Sequence, residues 1–169
     1  APDGAAPILV GMADPVSSIE HKPAFGATCL EGPVTLRTIR RWMRDQSRFA
    51  CLTCYDATTA RWLAEAGLPT LLVGDTAAEM ILGHESTIHA PLDFMVTITA
   101  AVKRGAPDTF VMGDMPFLSY QVDDALAIEH AGRFIVEGHA DAVKLEVDHR
   151  FLDTFAGICR AGIPAIAHL

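Results

Sequence analysis

The hydrophobic and polar positions of the chain follow one repeated pattern from about residue 34 onwards. Each repeat has a glycine, a short polar or proline-containing turn, and then an apolar run. Such a glycine commonly ends a helix, and the apolar run is typical of a buried strand. The pattern occurs at "AGLPTLLVGD", "RGAPDTFVMGD", "EGHADAVKLEV" and "AGIPAIAHL", which begin at residues 66, 104, 137 and 161. This spacing predicts successive βα units.

Segments with helical spacing lie between these apolar runs. They are "ATTARWLAEA", "PLDFMVTITAAVKR", "VDDALAIEHAGRFIVE" and "RFLDTFAGICRA". With "FACLTCYD" as a first strand and "TLRTIRRWMRDQ" as a preceding helix, the chain has five predicted strands that should pair in parallel through right-handed crossovers. An open doubly wound sheet and part of a (βα)8 barrel both fit this series. A complete barrel needs about 250 residues, so the chain would be roughly half of one.

The first 33 residues differ from the rest of the chain. They contain five of the ten prolines and show no sustained period. We therefore predict an N-terminal extension or arm over residues 1–33, followed by the organised domain over residues 34–169.

Composition excludes several classes of function. The formal charge of -8 argues against a nucleic-acid partner, and the basic run "RTIRRWMR" is interpreted as the solvated face of a helix. No apolar stretch reaches the roughly 18 residues of a membrane span, and the opening residues lack a basic start, so we expect a cytoplasmic protein. The scattered cysteines predict reduced thiols; they are Cys29, Cys51, Cys54 and Cys159.

Acidic residues stand at the ends of three consecutive predicted strands. Asp75 ends "TLLVGD", Asp114 ends "FVMGD", and Glu146 lies near the end of "AVKLEV", two residues after Lys144. Strand side chains alternate, so Lys144 and Glu146 should share one face, opposite an apolar face that packs on helices. In parallel α/β folds the carboxyl ends of the strands carry the functional site.

Each of these residues also has a purely structural interpretation. Asp75 and Asp114 could cap the next helix or turn, and Lys144 could form an ion pair with Glu146. Three converging carboxylates, however, would repel one another and need a cation, and an all-oxygen set favours Mg²⁺. A metal ion beside a lysine suits a carbonyl substrate, because the ion polarises the keto oxygen as enolate charge develops.

Several long segments resemble one known family, the ketopantoate hydroxymethyltransferases. They are "LTCYDATTARWLAEAGLPTLLVGDT", "LGHESTIHAPLDFM", "AVKRGAPDTFVMGDMPFLSY", "ADAVKLE" and "GIPAIAHL", in that order over roughly residues 34–169. The resemblance implies a (βα)8 barrel of the phosphoenolpyruvate/pyruvate superfamily, of which this chain holds about the first half, assembled as a homo-oligomer. The implied reaction transfers a hydroxymethyl group from 5,10-methylenetetrahydrofolate to 3-methyl-2-oxobutanoate and forms 2-dehydropantoate for pantothenate and coenzyme A biosynthesis.

The resemblance also implies roles for individual residues. Asp75, Asp114 and Glu146 match the carboxylates of the Mg²⁺ site. Lys144 is the implied catalytic residue, and the implied contacts to the oxo acid are Asp75, Thr76, Asp114, Lys144 and His168. The partners implied are therefore a small oxo acid and a folate, with neither nucleic acid nor membrane.

Two departures from the family pattern bear on function. Thr76 stands where serine is more common, a change that keeps the hydroxyl. The family's general base is a glutamate on a later strand, beyond Leu169. Two alternatives therefore stay open besides the transferase: a non-catalytic remnant that keeps metal and oxo-acid binding, and another lyase or mutase of the superfamily acting on an oxo acid.

Overall fold

The computed structural model of the chain describes residues 32–169, so the arm predicted for residues 1–33 lies outside the described residues except for its last two. The strands are β1 Cys51–Thr53, β2 Thr70–Val73, β3 Phe110–Asp114, β4 Ala142–Glu146 and β5 Ala165–His168. The helices are α1 Leu36–Arg44, α2 Ala57–Glu65, α3 Ala77–Met80, α4 Leu92–Gly105, α5 Asp124–Val136 and α6 Leu152–Arg160, with a 3-10 turn at Thr87–His89. None of the helices in this described part has the length and apolarity needed to cross a bilayer.

The five strands form one parallel sheet in the order β1-β2-β3-β4-β5. Every strand pairs with its neighbour in the sequence, and the order never reverses. A doubly wound sheet requires such a reversal, whereas a (βα)8 barrel adds each strand beside the previous one. The strand order therefore agrees with the barrel-type prediction and excludes the open doubly wound alternative for the described sheet.

Strand β4 shows the predicted separation of its two faces. Val143 and Leu145 are fully buried, and Val147 nearly so, in the main core between the sheet and the helices. Lys144 is half-buried and Glu146 is exposed on the opposite face. The alternation predicted from the sequence is confirmed, and it places both charged side chains away from the helices.

Helix α1 covers the beginning of the sheet. The Val34 N–H donates to the Asp108 carbonyl at 2.8 Å just before β3. Val34 and Ile39 then pack on Phe110 and Ala142, the first residues of β3 and β4, in a small cluster of their own. The amino ends of these strands are thus closed, which leaves the carboxyl ends as the end where a ligand could bind.

Strand β3 and helix α5 approach each other closely at Gly113. A Cβ atom at this position would overlap the ring of Phe134, which is fully buried. Glycine is therefore required for the ring to lie directly against the strand backbone. This contact sets the position of β3 against α5 at the residue just before Asp114.

Candidate active site

The candidate site centres on the ammonium group of Lys144. Its Nζ donates to both carboxylate oxygens of Asp114, each at 2.9 Å, and to Oε1 of Glu146 at 2.6 Å. The side chains of Lys144 and Asp114 are only 15% and 7% exposed. The register explains the contact, because Asp114 lies directly opposite Lys144 where β3 pairs with β4.

His168 extends this cluster towards solvent. It lies opposite Glu146 where β4 pairs with β5, and its Nδ1 is 2.8 and 2.9 Å from the two carboxylate oxygens of Glu146. Both side chains are more than half exposed. The cluster therefore runs from a buried aspartate through a lysine to an exposed glutamate and histidine.

Asp75 and Thr76 lie next to this cluster, at the end of β2. The Asp75 N–H points to Oδ2 of Asp114 at 3.4 Å, and the half-buried Asp75 carboxylate adds negative charge near Asp114. Thr76 is exposed and is the N-cap residue of α3, without a capping hydrogen bond from its side chain. Asp75 therefore does not occupy the capping position that the structural interpretation gave it.

The charges of the cluster shift one another's titration. Burial raises the pKa of the Asp114 carboxyl above its ordinary value, although the ammonium of Lys144 works against this shift. Burial disfavours the charged form of Lys144, but the bonds to Glu146 and Asp114 outweigh it and raise its pKa. For Glu146 burial is again opposed by Lys144 and His168, and the net pKa is lowered. Lys144 is thus held protonated between its two carboxylates.

The predicted gathering of three carboxylates around one point is not observed. Within residues 32–169, no three histidine, cysteine, aspartate or glutamate side chains stand close enough together to hold a metal ion. The physical reason is that the ammonium of Lys144 lies between Asp114 and Glu146 and neutralises them. Chemically the donors still suit a hard cation, since Asp75, Asp114 and Glu146 offer only oxygen. Their role as metal ligands stays a prediction.

Comparison with known proteins decides the family. The family model described as ketopantoate hydroxymethyltransferase matches residues 33–169. The chain belongs to the ketopantoate hydroxymethyltransferase family. This confirms the resemblance found in the sequence motifs.

Two curated relatives named 3-methyl-2-oxobutanoate hydroxymethyltransferase illustrate the extent of the match. The protein of Mycobacterium bovis (strain BCG / Pasteur 1173P2) is 43% identical over 141 residues, which cover 82% of this chain and 50% of the relative. The Thermobifida fusca protein is 42% identical over 154 residues, which cover 91% of this chain and 55% of the relative. The chain spans about half the length of the curated relatives it matches.

Solved structures support the fold of this family member. A 2,3-dimethylmalate lyase of the PEP mutase/isocitrate lyase superfamily matches with a TM-score of 0.64 and 19% identity, covering 78% of this chain and 51% of the lyase. A phosphonopyruvate hydrolase solved with oxalate and Mg²⁺ matches with a TM-score of 0.65 and 11% identity. That match covers 78% of this chain and 50% of the hydrolase. At such identities the likeness shows the fold alone, and it confirms the predicted fold of about half of a (βα)8 barrel.

Tyr120 is a site residue that the sequence analysis missed. It is buried, its hydroxyl donates to the Glu146 carbonyl at 3.1 Å, and its ring packs edge-on against Phe151. Burial raises the pKa of the Tyr120 phenol, so the phenol stays protonated as a donor. The only signal in the sequence was its position in the family-like segment "MPFLSY". Tyr120 ties the β3–α5 loop to the end of β4.

His130 anchors the same loop from the other side. Its Nδ1 lies 2.7 Å from the Ser119 carbonyl, and the imidazole is half-buried. The sequence around His130 carries no local signal for this contact, because nothing there indicates that α5 passes under the loop. The loop after Asp114 is therefore held at both Ser119 and Tyr120.

Cys51 in β1 and Cys54 just after it are not arranged as a redox pair. Cys51 is exposed and Cys54, three residues later, is buried, because an odd offset along an extended chain points two side chains to opposite faces. Both are free thiols, and burial raises the pKa of the Cys54 thiol. A raised thiol pKa disfavours the reactive thiolate.

Proposed function

We propose that this chain forms the metal- and oxo-acid-binding half of an enzyme that transfers a hydroxymethyl group to 3-methyl-2-oxobutanoate. The donor would be 5,10-methylenetetrahydrofolate and the product 2-dehydropantoate, on the way to pantothenate. The observation that carries the proposal is the charged cluster of Asp114, Lys144, Glu146 and His168 at the carboxyl ends of three adjacent strands. Membership of the ketopantoate hydroxymethyltransferase family supports it.

Lys144 would act on the oxo acid through its charge. Removing the proton from the carbon next to the keto group leaves negative charge that spreads onto the keto oxygen. A fixed ammonium in a poorly solvated site stabilises such charge more strongly than water does, because it needs no reorganisation. The low exposure of Lys144 and its fixed position opposite Asp114 suit this role.

The exposed rim of the cluster would bind the rest of the oxo acid. The Thr76 hydroxyl stands exposed at the start of α3, next to Asp75, and can donate to a substrate oxygen. His168 lies at the opposite side of the rim with its ring exposed. Thr76 and His168 would therefore contact the oxo acid from β2 and β5, with Lys144 between them.

Asp75, Asp114 and Glu146 would hold the Mg²⁺ ion of this family. The ion, when bound, supplies positive charge that polarises the keto oxygen. The fit rests on the donors themselves, which are all oxygen, and on the negative charge that Asp75 adds beside the buried Asp114. The resemblance implies that the family's proton-removing glutamate stands on a later strand, so oxo-acid binding and proton removal are separable parts of the proposal.

Hydrogen exchange at the third carbon of 3-methyl-2-oxobutanoate tests the function. The chain would be incubated with the oxo acid and Mg²⁺ in D₂O, and loss of the C3 proton signal followed by NMR. Asp114→Asn is the matched variant, because it removes one charge at the centre of the cluster and changes the shape least. Exchange by the chain that is lost in Asp114→Asn would support the transferase and exclude the non-catalytic remnant.

Line broadening of the oxo-acid signals with no exchange would show binding without proton removal, which supports the binding half proposed here and excludes proton removal by these residues alone. Absence of both effects would contradict the proposed substrate. Conversion of the oxo acid that proceeds equally well without the folate would instead favour a lyase or mutase.

The assembly and location belong to the same proposal. We expect a cytoplasmic homo-oligomer with small-molecule partners only. The formal charge of -8 supports the absence of a nucleic-acid partner. Light scattering coupled to size exclusion would measure the oligomeric state, and a monodisperse monomer would contradict it.

A further inference from the structure

We propose that Lys144 is an internal counter-ion that competes with a divalent cation for Asp114, so that this lysine lowers the cation affinity of the site. The inference rests on the proposed function, because it concerns the same carboxylates. It adds a competition between two cations for one buried carboxylate. The argument uses the donor count, the burial and the neighbours of Asp114.

The ammonium of Lys144 has no donor to spare. An ammonium carries three N–H groups. Lys144 Nζ lies within hydrogen-bond distance of three carboxylate oxygens, two on Asp114 and one on Glu146. To bind a further anion such as an oxo acid, it must give up at least one of these bonds.

The carboxylate of Asp114 is bonded to the ammonium through both of its oxygens. Both of its oxygens accept from Lys144, and Oδ2 also faces the Asp75 N–H. Its side chain is only 7% exposed, so water cannot replace the ammonium. A buried carboxylate that loses the cation bonded to it is costly, and the nearby charge of Asp75 adds to that cost. Each carboxylate oxygen carries two lone pairs, so a divalent cation could bind Asp114 beside the ammonium, but the two positive charges would then repel each other at close range. A cation that replaces the ammonium avoids this repulsion.

This exchange would couple cation binding to oxo-acid binding. A cation that takes over Asp114 releases two N–H donors of Lys144. Lys144 can keep its bond to Glu146, which is on the same strand face, and present the released donors to an anion. The oxo acid should therefore bind more tightly once the cation is bound, and thermodynamic linkage makes the reverse true as well.

Titration calorimetry with Mg²⁺ tests the competition. The measurements would compare the wild-type chain, Lys144→Gln and Arg37→Gln, a control that removes the same single positive charge from the exposed surface of α1. Close charge pairs couple strongly enough that Lys144→Gln should bind Mg²⁺ at least about 10-fold more tightly than wild type. Arg37→Gln should bind as wild type does.

The outcomes separate the inference from the proposed function. Equal or weaker Mg²⁺ binding by Lys144→Gln, with binding by wild type, overturns the inference and leaves the metal site standing. Binding by neither protein overturns both. An equal gain in Lys144→Gln and Arg37→Gln would show a general charge effect and would also overturn the inference.

A second measurement uses the wild-type chain and does not depend on the stability of a variant. The chain has three lysines, at positions 22, 103 and 144, so the ammonium signals of a ¹⁵N-lysine-labelled sample are few. Mg²⁺ should shift the Lys144 ammonium signal and leave that of Lys103, which pairs with Asp141, unchanged. A Lys144 signal that stays in place at saturating Mg²⁺ would overturn the displacement.

Discussion

Two lysine–aspartate pairs lie at opposite ends of the same two strands. Lys103 pairs with Asp141 at 2.6 Å where β3 and β4 begin, and Lys144 pairs with Asp114 at 2.9 Å where they end. All four side chains are mostly buried. Yet the two pairs serve different purposes, and the difference lies in their other partners.

The pair at the beginning of the strands is closed by backbone groups. Lys103 also donates to the Thr109 carbonyl at 2.8 Å, and Asp141 also accepts from the Val111 N–H at 2.8 Å. These bonds join α4 to both strands. The pair at the end is instead completed by the Glu146 side chain, which is 59% exposed. A charge pair completed by backbone is structural, whereas one completed by an exposed carboxylate can exchange its partners with a ligand.

The largest expected effect on stability is at the Lys103–Asp141 pair. Asp141→Asn should lower the free energy of unfolding by about 3–5 kcal/mol, because it leaves the mostly buried Lys103 without its counter-charge. Asp93→Asn is the control: Asp93 pairs with Arg133 but its side chain is 84% exposed, so its loss should cost less than about 1 kcal/mol. Urea unfolding measures both. Equal losses in the two variants would contradict the structural role of Lys103–Asp141.

A smaller effect is expected at Gly113, the residue before Asp114 of the Lys144–Asp114 pair. Gly113→Ala should cost about 1–3 kcal/mol, because the added methyl overlaps the ring of Phe134. Gly132→Ala on the same helix α5 is the control, since a Cβ there meets no atom within 4 Å, and it should stabilise by up to about 1 kcal/mol. Thermal unfolding compares the two variants. A neutral Gly113→Ala would show that Phe134 does not hold β3 in place.

The hydrogen bond by which Tyr120 anchors the β3–α5 loop should contribute less to the free energy of unfolding. Tyr120→Phe removes the hydrogen bond to the Glu146 carbonyl and should cost about 1 kcal/mol. Tyr55→Phe, at a half-buried tyrosine just after β1, is the matched control and should stay within about 0.5 kcal/mol of wild type. Urea unfolding distinguishes them. If Tyr120→Phe is as stable as Tyr55→Phe, the phenol does not anchor β4.

The smallest effect concerns an acidic strand end that is purely structural. Asp56 follows β1 and caps α2, accepting from the Thr58 and Thr59 N–H groups at 2.8 and 2.9 Å. The hydrogen bond from the Thr59 hydroxyl lowers the pKa of Asp56 below its ordinary value, and the bond from the Thr59 N–H adds to this shift. Its stabilisation is therefore present above the unfolded-state pKa near 3.8 and is lost as the pH falls through the lower folded-state value.

Asp56→Asn should reveal this dependence. Asparagine caps helices about as well as aspartate, so the loss near pH 7 should be below about 1 kcal/mol. The difference between wild type and variant should vanish below the folded-state pKa. Unfolding curves measured from pH 7 down to about pH 2 check this, because the folded-state pKa lies below the ordinary value, and a difference that grows towards low pH would contradict the capping role.

Local signals predicted the elements well and their contacts less well. The predicted alternation of the two faces of β4 depends on residues close together in the chain, and it is confirmed. The Asp56 cap of α2 is equally local, because its bonds reach only two and three residues along the chain. The helix at Ala77–Met80 was missed because it is four residues long and has no period to detect. Tyr120 was missed because its partner, Glu146, lies 26 residues away.

The sequence by itself determined which residues alternate, where helices begin, and that Lys144 and Glu146 share one face, because these properties depend on neighbours a few residues apart. Only the tertiary structure decided that Lys144 lies between Asp114 and Glu146. That position depends on the register of β3 against β4, which is set by packing such as Phe134 on Gly113. Such packing joins residues far apart in the chain, and no local pattern specifies it.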